Sequence, residues 1–443
     1  MSLGATLANA VFGLGAATKR AELISSNIAN ALTPSYAKRD LDVSARLSNH
    51  GGVLVNGVSR ATDEVILQEF RHINSFATGA DQLLSTMTAV SRLFGQQGEG
   101  DTLANYLDTL REKTLEASSL PNDPQRLASV VNAAKGLAEK INSIAKGLST
   151  QTSSLENQLN RDVEDLSRTL KSIEDLNRQI GRSAKNSGLR ASLMDQRDLL
   201  LDKVSETVSF RVFQRGSDQI ALYTTTGQPL LDGKVADIRV GHDPNNDGHA
   251  IFINDVVSKF PSSNDKGKLD QTLDLINTHL PESVARLDQF AFDLFSNLTG
   301  GPLGSQNNFD GVFDLGVNTT DPLGAAARIS VQTDLISNPA LLNDDPNAPA
   351  ALLGNIYAVL SIDNGINQTA AELVTNHDIK RVDAQTIKAR VNAQHSAVND
   401  AKQAFSVNSD EELQSLLLVQ RSYAANARMI QVVNDLFDDL ARI

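Results

Sequence analysis

The 443-residue chain contains no cysteine and no tryptophan, and only 5% of it is aromatic. Without cysteine there can be no disulfide, no thiolate nucleophile and no cysteine-ligated metal site. Pockets that grip small molecules are usually lined with aromatic side chains, so the shortage of them speaks against a conventional ligand site. Positive charge is also scarce: the formal net charge is −13, the opposite of the basic face that nucleic acid requires. No stretch approaches the eighteen or so apolar residues of a membrane span. The small apolar run from Ala10 to Ala17 lacks the basic residues that precede the core of a secretory signal, because Lys19 and Arg20 follow it. Neither a cleaved signal, nor membrane insertion, nor nucleic-acid binding is expected, and any export would use another route.

Proline is missing from residues 35–120, 125–228 and 350–443, while nine of the twelve prolines fall between Pro229 and Pro349. Long proline-free stretches suit long helices, since proline removes a backbone donor and clashes with the preceding turn. Hydrophobic spacing agrees. Leu3, Leu7, Ala10, Leu14, Ala17, Ala21, Ile24 and Ile28 alternate steps of four and three, a heptad stripe. A second stripe runs Leu155, Leu159, Val163, Leu166, Leu170, Ile173, Leu176 and Ile180. A third uses Leu413, Leu416, Leu417, Ala424, Ala427, Ile430, Val433, Phe437 and Leu440. Ser409, three residues before Glu412, reads as the capping box that starts this last helix.

The middle of the chain has a different period. Phe210–Val212, Ile220–Leu222, Ile238–Val240 and Ile251–Ile253 alternate with period two between glycine-bearing turns, which reads as a small antiparallel sheet. Residues 268–299 return to helical spacing, with Pro281 starting a new helix or kinking this one. Residues 300–350 are rich in Gly, Asn, Asp and Pro, and read as loops with short strands. The expected fold is mainly α with a β-rich insertion, an α+β multidomain chain in which long helices from both termini pair into a coiled-coil-like body. Its expected divisions are an N-terminal helical part (1–205), a small antiparallel β domain (206–262), a helical return (263–299), an irregular insertion (300–350) and a C-terminal helical part (351–443).

Chemistry-bearing motifs are few. There is no G-x-S-x-G, H-E-x-x-H or P-loop. Asp243-Pro-Asn-Asn-Asp-Gly248 copies the first half of a calcium loop, but the twelfth position, which needs a bidentate carboxylate, is Asn254. An ordinary hairpin turn explains the same residues through their backbone preferences. His242 and His249 flank that turn and could in principle meet around a metal, but surface polar positions on a hairpin are the preferred reading. Asp410-Glu411-Glu412 suits the positive end of a helix dipole, and Asp438-Asp439 a solvated face. No catalytic, cofactor-binding or metal site is expected, and an enzyme is not.

The two ends carry the signal that remains. The first helix holds Gly4, Gly13 and Gly15, each costing about 1 kcal/mol against alanine in a helix interior. Three of its stripe positions are only alanine, so it is marginal alone and wants a partner, the C-terminal stripe being the obvious one. It ends in Ser25-Ser-Asn27-Ile-Ala-Asn30-Ala-Leu-Thr33-Pro34-Ser-Tyr36, where two amide side chains stand in or beside the helix and the chain leaves through a turn.

This stretch resembles the N-terminal signature of the flagellar axial proteins, with Asn27, Ile28, Ala29, Asn30, Thr33, Pro34 and Tyr36 filling the pattern and Ser35 standing where that family usually has glycine. The C-terminal segment looks like the matching terminal helix, with Gln420, Tyr423, Ala425, Asn426 and Ala427 in the familiar places. The long middle helices and the string around Asp195-Gln-Arg-Asp198 are similar to the flagellar hook-associated protein 1 family, as are "GVLVNGVSRATDEVI", "SLPNDPQRLASVV" and "VNSDEEL". The resemblance implies a structural part of the bacterial flagellum, located outside the cell after type III export, that polymerises at the hook tip as the hook–filament junction. It implies as partners further copies of the same chain, the hook protein, hook-associated protein 3 on the filament side, an export chaperone and the export apparatus. The residues it points to for assembly are Leu3, Leu7, Leu14, Ile24, Asn27, Ile28, Asn30, Pro34 and Tyr36 at one end. At the other they are Leu413, Leu417, Gln420, Tyr423, Asn426, Ile430, Phe437 and Leu440. A hook or rod protein, and more remotely a flagellum-borne enzyme, are the alternative readings.

Overall fold

The computed structural model of the chain describes residues 3–46, 52–95, 100–244, 248–259, 265–299, 310–316, 319–343, 350–361 and 365–442. The first helix, α1 (Leu3–Ala29), leads into a hairpin of β1 (Arg39–Ala45) and β2 (Val53–Arg60). Four helices follow: α2 (Glu64–Phe94), α3 (Leu103–Ser119), α4 (Pro124–Arg182) and α5 (Gly188–Ser205). Each begins where its sequence says it should. Asp63, Thr102, Asp123 and Ser187 all turn a side-chain oxygen onto the free amides of the first turn, and Pro124 occupies the first turn of α4.

The 59 residues of α4 make a rod about 90 Å long at 1.5 Å per residue, and the rest of the body is laid along it. Every member of the expected stripe from Leu155 to Ile180 is buried. Two small antiparallel sheets pack against α4, where the sequence suggested one: β3 (Phe210–Gln214), β4 (Ile220–Thr224), β5 (Pro229–Asp232) and β6 (Lys234–Val235) in that order, then β7 (Ile238–Asp243), β8 (Gly248–Ile253) and β9 (Val256–Val257). The hairpin reading of residues 243–248 agrees with the register, which sets Asp243 opposite Gly248 and His242 opposite His249; residues 245–247 lie outside the described residues.

The helical return is α6 (Lys268–Asp274) and α7 (Leu280–Asn297), joined by a π turn over Leu275–His279 that carries the chain to Pro281 without a break. Beyond it come β10 (Phe313–Asp314), α8 (Ala325–Arg328), β11 (Ser330–Val331), α9 (Thr333–Ser337) and a 3-10 turn at Pro339–Asn343. Phe313, Ile329, Leu335 and Leu342 from this irregular stretch are buried in the same core as α3, α4 and α7. The chain closes with α10 (Ala351–Val359), α11 (Gly365–Gln403), which lies along α2, and α12 (Ser409–Ala441), which lies along α1. The fold is mainly α with small antiparallel sheets inserted. Within the first 205 residues, read from sequence as helical, the β1–β2 hairpin is the departure: none of its strand residues is buried, so no core-facing stripe announces it.

The core is divided unequally. One large cluster unites α2, α3, α4, both sheets, α7 and α10. The α2–α11 pair closes on Ile73, Ala77 and Val391. The α1–α12 pair has its own separate cluster, in which only Ala17, Ile24 and Val419 are fully buried.

A candidate assembly interface at the chain termini

The two terminal helices run antiparallel: Asn27 meets Glu412, and Gly13 meets Asn426. Gly13 lets the Asn426 side chain approach closely, since a Cβ there would stand 2.9 Å from its amide nitrogen and that side chain would have to shift. Ile24, Val419 and Val433 each contribute about 1.5–3 kcal/mol by burial, with Ala10 and Ala17 adding less, a modest total for docking helices of 27 and 33 residues.

The seam on α12 is Glu412, Leu416, Val419, Asn426, Ile430 and Val433, spaced by fours, threes and sevens. Of the C-terminal residues singled out from sequence, Asn426 and Ile430 belong to it. Leu413 and Leu417 do not: they are 50% and 57% exposed and face away from α1. Gln420, Tyr423, Phe437 and Leu440 are exposed as well. At the N-terminal end Ile24 and Asn27 are buried, whereas Leu3, Leu7, Leu14, Ile28, Asn30 and Tyr36 are half-buried and Pro34 is exposed. Leu418, Met429, Val432 and Leu436 add a further exposed apolar flank on α12.

Asn27 is the polar centre of the seam. Its Nδ2 donates to the carbonyl of Arg39 and to Oε2 of Glu412, each at 3.0 Å, and its Oδ1 accepts from the Tyr36 hydroxyl and the Arg39 amide, again at 3.0 Å. All four hydrogen-bonding positions of the amide are therefore used, and only asparagine or glutamine chemistry can fill them. Asn30 donates to the Ser26 carbonyl at 2.9 Å, closing the last turn of α1. Ser35 has φ +58°, the left-handed region that glycine enters at no steric cost. Its hydroxyl donates to Asp202 at 3.4 Å.

The capping-box reading of Ser409 and Glu412 is corrected. Asn408 is the cap, accepting from the amides of Asp410 and Glu411. Glu412 turns inward instead, is 2% exposed, and pairs with Lys38 at 3.0 Å as well as with Asn27. The hydrogen bond to Glu412, followed by its charge, holds the Lys38 ammonium above its ordinary pKa.

Sequence reasoning missed the group that fastens this end to the body. Asp195, Asp198 and Asp202 are spaced three and four apart and share one face of α5. Asp195 receives Arg39 at 3.0 Å and Arg60 at 2.8 Å; Asp198 receives Arg60, and Arg71 at 3.1 Å; Asp202 receives Arg71 and Lys402, both at 2.8 Å. The ladder thus joins β1, β2, α2 and the end of α11 to a single helix. Burial alone would push the Asp198 carboxyl up, but Arg60 and Arg71 outweigh it and hold it below the usual range. Acids at i, i+3 and i+7 were visible in the sequence, but their arginines lie 127 to 156 residues away. The hairpin is tied in again where the Val58 amide donates to the Asn186 carbonyl at 2.7 Å, and Gly57, with φ +145°, leaves room for Asn186.

Among the described residues no group of three or more histidines and carboxylates is placed to hold a metal ion, and no helix is long and apolar enough to cross a membrane. His249 bonds through its backbone to Asn277, and its Nε2 lies 3.7 Å from Glu156.

The chain is similar in sequence to known proteins. Residues 87–298 match the family model described as the flagellar hook-associated protein FlgK helical domain, and residues 406–443 match that of the flagellar basal body rod FlgEFG protein C-terminal region. Flagellar hook-associated protein 1 of Bacillus subtilis is 26% identical over 483 aligned positions, covering 93% of each chain. The Salmonella typhimurium protein of the same name is 24% identical over 238 positions, which cover 52% of this chain but only 42% of that one. Among solved structures, the flagellar hook junction protein FlgK from Burkholderia pseudomallei aligns at 19% identity and TM-score 0.45, over 56% of this chain and 47% of that one.

Proposed function

From the premise that this chain belongs to the flagellar hook-associated protein 1 family, structural components of the flagellum at the hook–filament junction, we propose that it polymerises at the hook tip and serves as the adaptor on which the filament is assembled. The observation that carries this reading is the α1–α12 pair: a thin seam on one side, and on the other an apolar flank of α12 left uncovered in the single chain. So many exposed large apolar side chains on one helix are characteristic of interaction sites.

In this reading the partners are neighbouring copies of the chain, the hook protein below and hook-associated protein 3 above. The assembly contacts comprise Leu3, Leu7, Leu14 and Ile28 of α1 together with Leu413, Leu417, Gln420, Tyr423, Phe437 and Leu440 of α12. The chain reaches its place outside the cell through the flagellar type III apparatus with the help of an export chaperone. A terminal pair held by so small a cluster suits that route, because it can open for passage and close again, its ordering cost offset by interface burial at the tip. The divisions at 205, 262, 299 and 350 would separate this axial part from the body. The role is structural rather than enzymatic, with no cofactor and no contact with nucleic acid or membrane.

Electron microscopy of a deletion strain tests the reading. Cells lacking the chain should carry hooks without filaments and shed flagellin into the medium, and plasmid-borne chain should restore filaments. Normal filaments in the deletion strain would overturn it.

A further inference from the structure

A cleft of about 520 Å³ opens between β2 and α2 on one side and α5 with β3 and β4 on the other. Two of the arginines lining it, Arg190 and Arg197, are only 4% and 3% exposed. Arg190 is paired with Asp218 at 2.7 Å and donates to the Ser183 and Ser217 carbonyls. Arg197 donates to the Asn177 side-chain oxygen at 3.2 Å and the Asp218 carbonyl at 2.6 Å, both neutral acceptors. Among the described residues no carboxylate lies within ion-pairing distance of Arg197, and the Nε of each arginine is buried without a hydrogen-bond partner. Burial, against the pull of Asp198 and reinforced by Arg60 and Arg71, draws the Arg197 guanidinium down to about 10.

Arg60 and Arg71, on the same cleft, are already committed to the Asp195–Asp202 ladder. Arg197 makes no direct ion pair among the described residues and feels Asp198 and Asp218 only at longer range, and a buried charge without a direct partner is costly unless something pairs with it. We propose that the cleft is a binding site for a single carboxylate on an organic stem, received by the guanidinium of Arg197 with Arg190, itself paired with Asp218, beside it. A guanidinium fork matches the two oxygens of a carboxylate. Glu64, Glu69, Asp198 and Asp218 line the same cleft, so a group bearing two charges, such as phosphate, meets about twice the repulsion of a singly charged acid and has no stem to lay on apolar surface. The cleft also exceeds the size of a carboxylate, and Val58, Met194, Leu201 and Ile220 give its stem an apolar wall. Two sources share this chemistry: a free organic acid, and an Asp or Glu side chain of a second copy of the chain. The assignment does not depend on the flagellar role.

The test uses the intact chain and records the arginine Nε–H resonances in nitrogen-15 spectra while acetate, butyrate or inorganic phosphate is added. The expected result is a saturable shift of the Arg197 and Arg190 signals, tighter with butyrate than with acetate and weakest with phosphate. Arg197→Lys, which keeps the charge and loses the fork, should bind butyrate about tenfold less tightly; if that variant does not fold, Arg190→Lys is read in its place. Sedimentation of the native chain separates the sources. Self-association that butyrate suppresses identifies the second copy, and indifference to butyrate, with the resonance shifts intact, identifies a free acid. Absence of any saturable shift in the native chain, or equal binding by a folded lysine variant, would overturn the assignment.

Discussion

Nδ2 of Asn27 donates to Oε2 of Glu412 at 3.0 Å, joining side chains 385 residues apart at the point where the chain's two ends meet. Both are almost completely buried, at 1% and 2% exposure. Asn27→Asp removes the donor and sets a second carboxylate against Glu412. With a buried polar group left unsatisfied costing about 1–3 kcal/mol, and so few apolar residues behind it, α12 should release. Limited proteolysis with mass spectrometry should show cleavage between residues 404 and 410 appearing earlier than in the native chain while the body persists. Even in dilute native protein, α1 and α12 should be cut before the body. An unchanged cleavage order in the variant would count against the latch.

Val419 and Leu417 separate the seam from the flank. Val419→Asp should free α12 within the single chain, because Val419 is 7% exposed and an unpaired buried carboxylate costs several kcal/mol. Leu417→Asp should leave melting and proteolysis of the monomer unchanged, since Leu417 already faces water. In cells, however, it should give hooks without filaments if that flank is covered in the polymer. Filaments of normal length with Leu417→Asp would remove Leu417 from the assembly contacts.

Asp198→Asn should be among the most damaging single changes in the body. It removes the shared partner of Arg60 and Arg71, both nearly buried, and breaking such a pair costs about 3–5 kcal/mol. Arg168→Ala, which breaks an exposed pair with Asp165 on α4, should change stability by less than about 0.5 kcal/mol. Denaturant melts of the two variants give the comparison directly, and equal effects would contradict the ladder's structural role.

His377 stacks on Phe94 at 4.1 Å and is 3% exposed. Burial, with Lys380 and Arg286 nearby, lowers its pKa to about 4. The folded state therefore keeps the ring neutral where the unfolded chain would already protonate it. Its contribution is complete above about pH 6.5, the unfolded value, and is lost as pH falls through about 4, for a total on the order of 3 kcal/mol. His377→Gln should flatten that part of the stability–pH curve; an unaltered slope would show that other groups carry it.

The Asp243–Gly248 hairpin should show no specific calcium site. Asn254, at the twelfth position, offers its side-chain oxygen to the Asp237 amide at 3.0 Å and supplies no bidentate carboxylate. Calorimetry with calcium checks this, and a micromolar site lost on Asp243→Ala would refute it.

What the sequence settled by itself is what local period can encode. The Leu155–Ile180 stripe buried itself on α4 as spaced, and the alternating runs became β3, β4, β7 and β8. Each depends on neighbours at most a few residues away, which the chain specifies before any tertiary contact forms. What only the tertiary structure decided is which of several equivalent-looking partners each side chain takes. Glu412 has the spacing of a capping residue but serves Asn27 and Lys38, because a buried amide and ammonium offer it more than an exposed helix end. Leu413 and Leu417 are as apolar as Leu416 and Val419, yet α1 is one helix wide and covers only the latter pair. Asp195, Asp198 and Asp202 became a fastening because Arg39, Arg60 and Arg71 arrive from three other elements. That coincidence is a property of chain packing over more than a hundred residues, and no spacing within a single helix contains it.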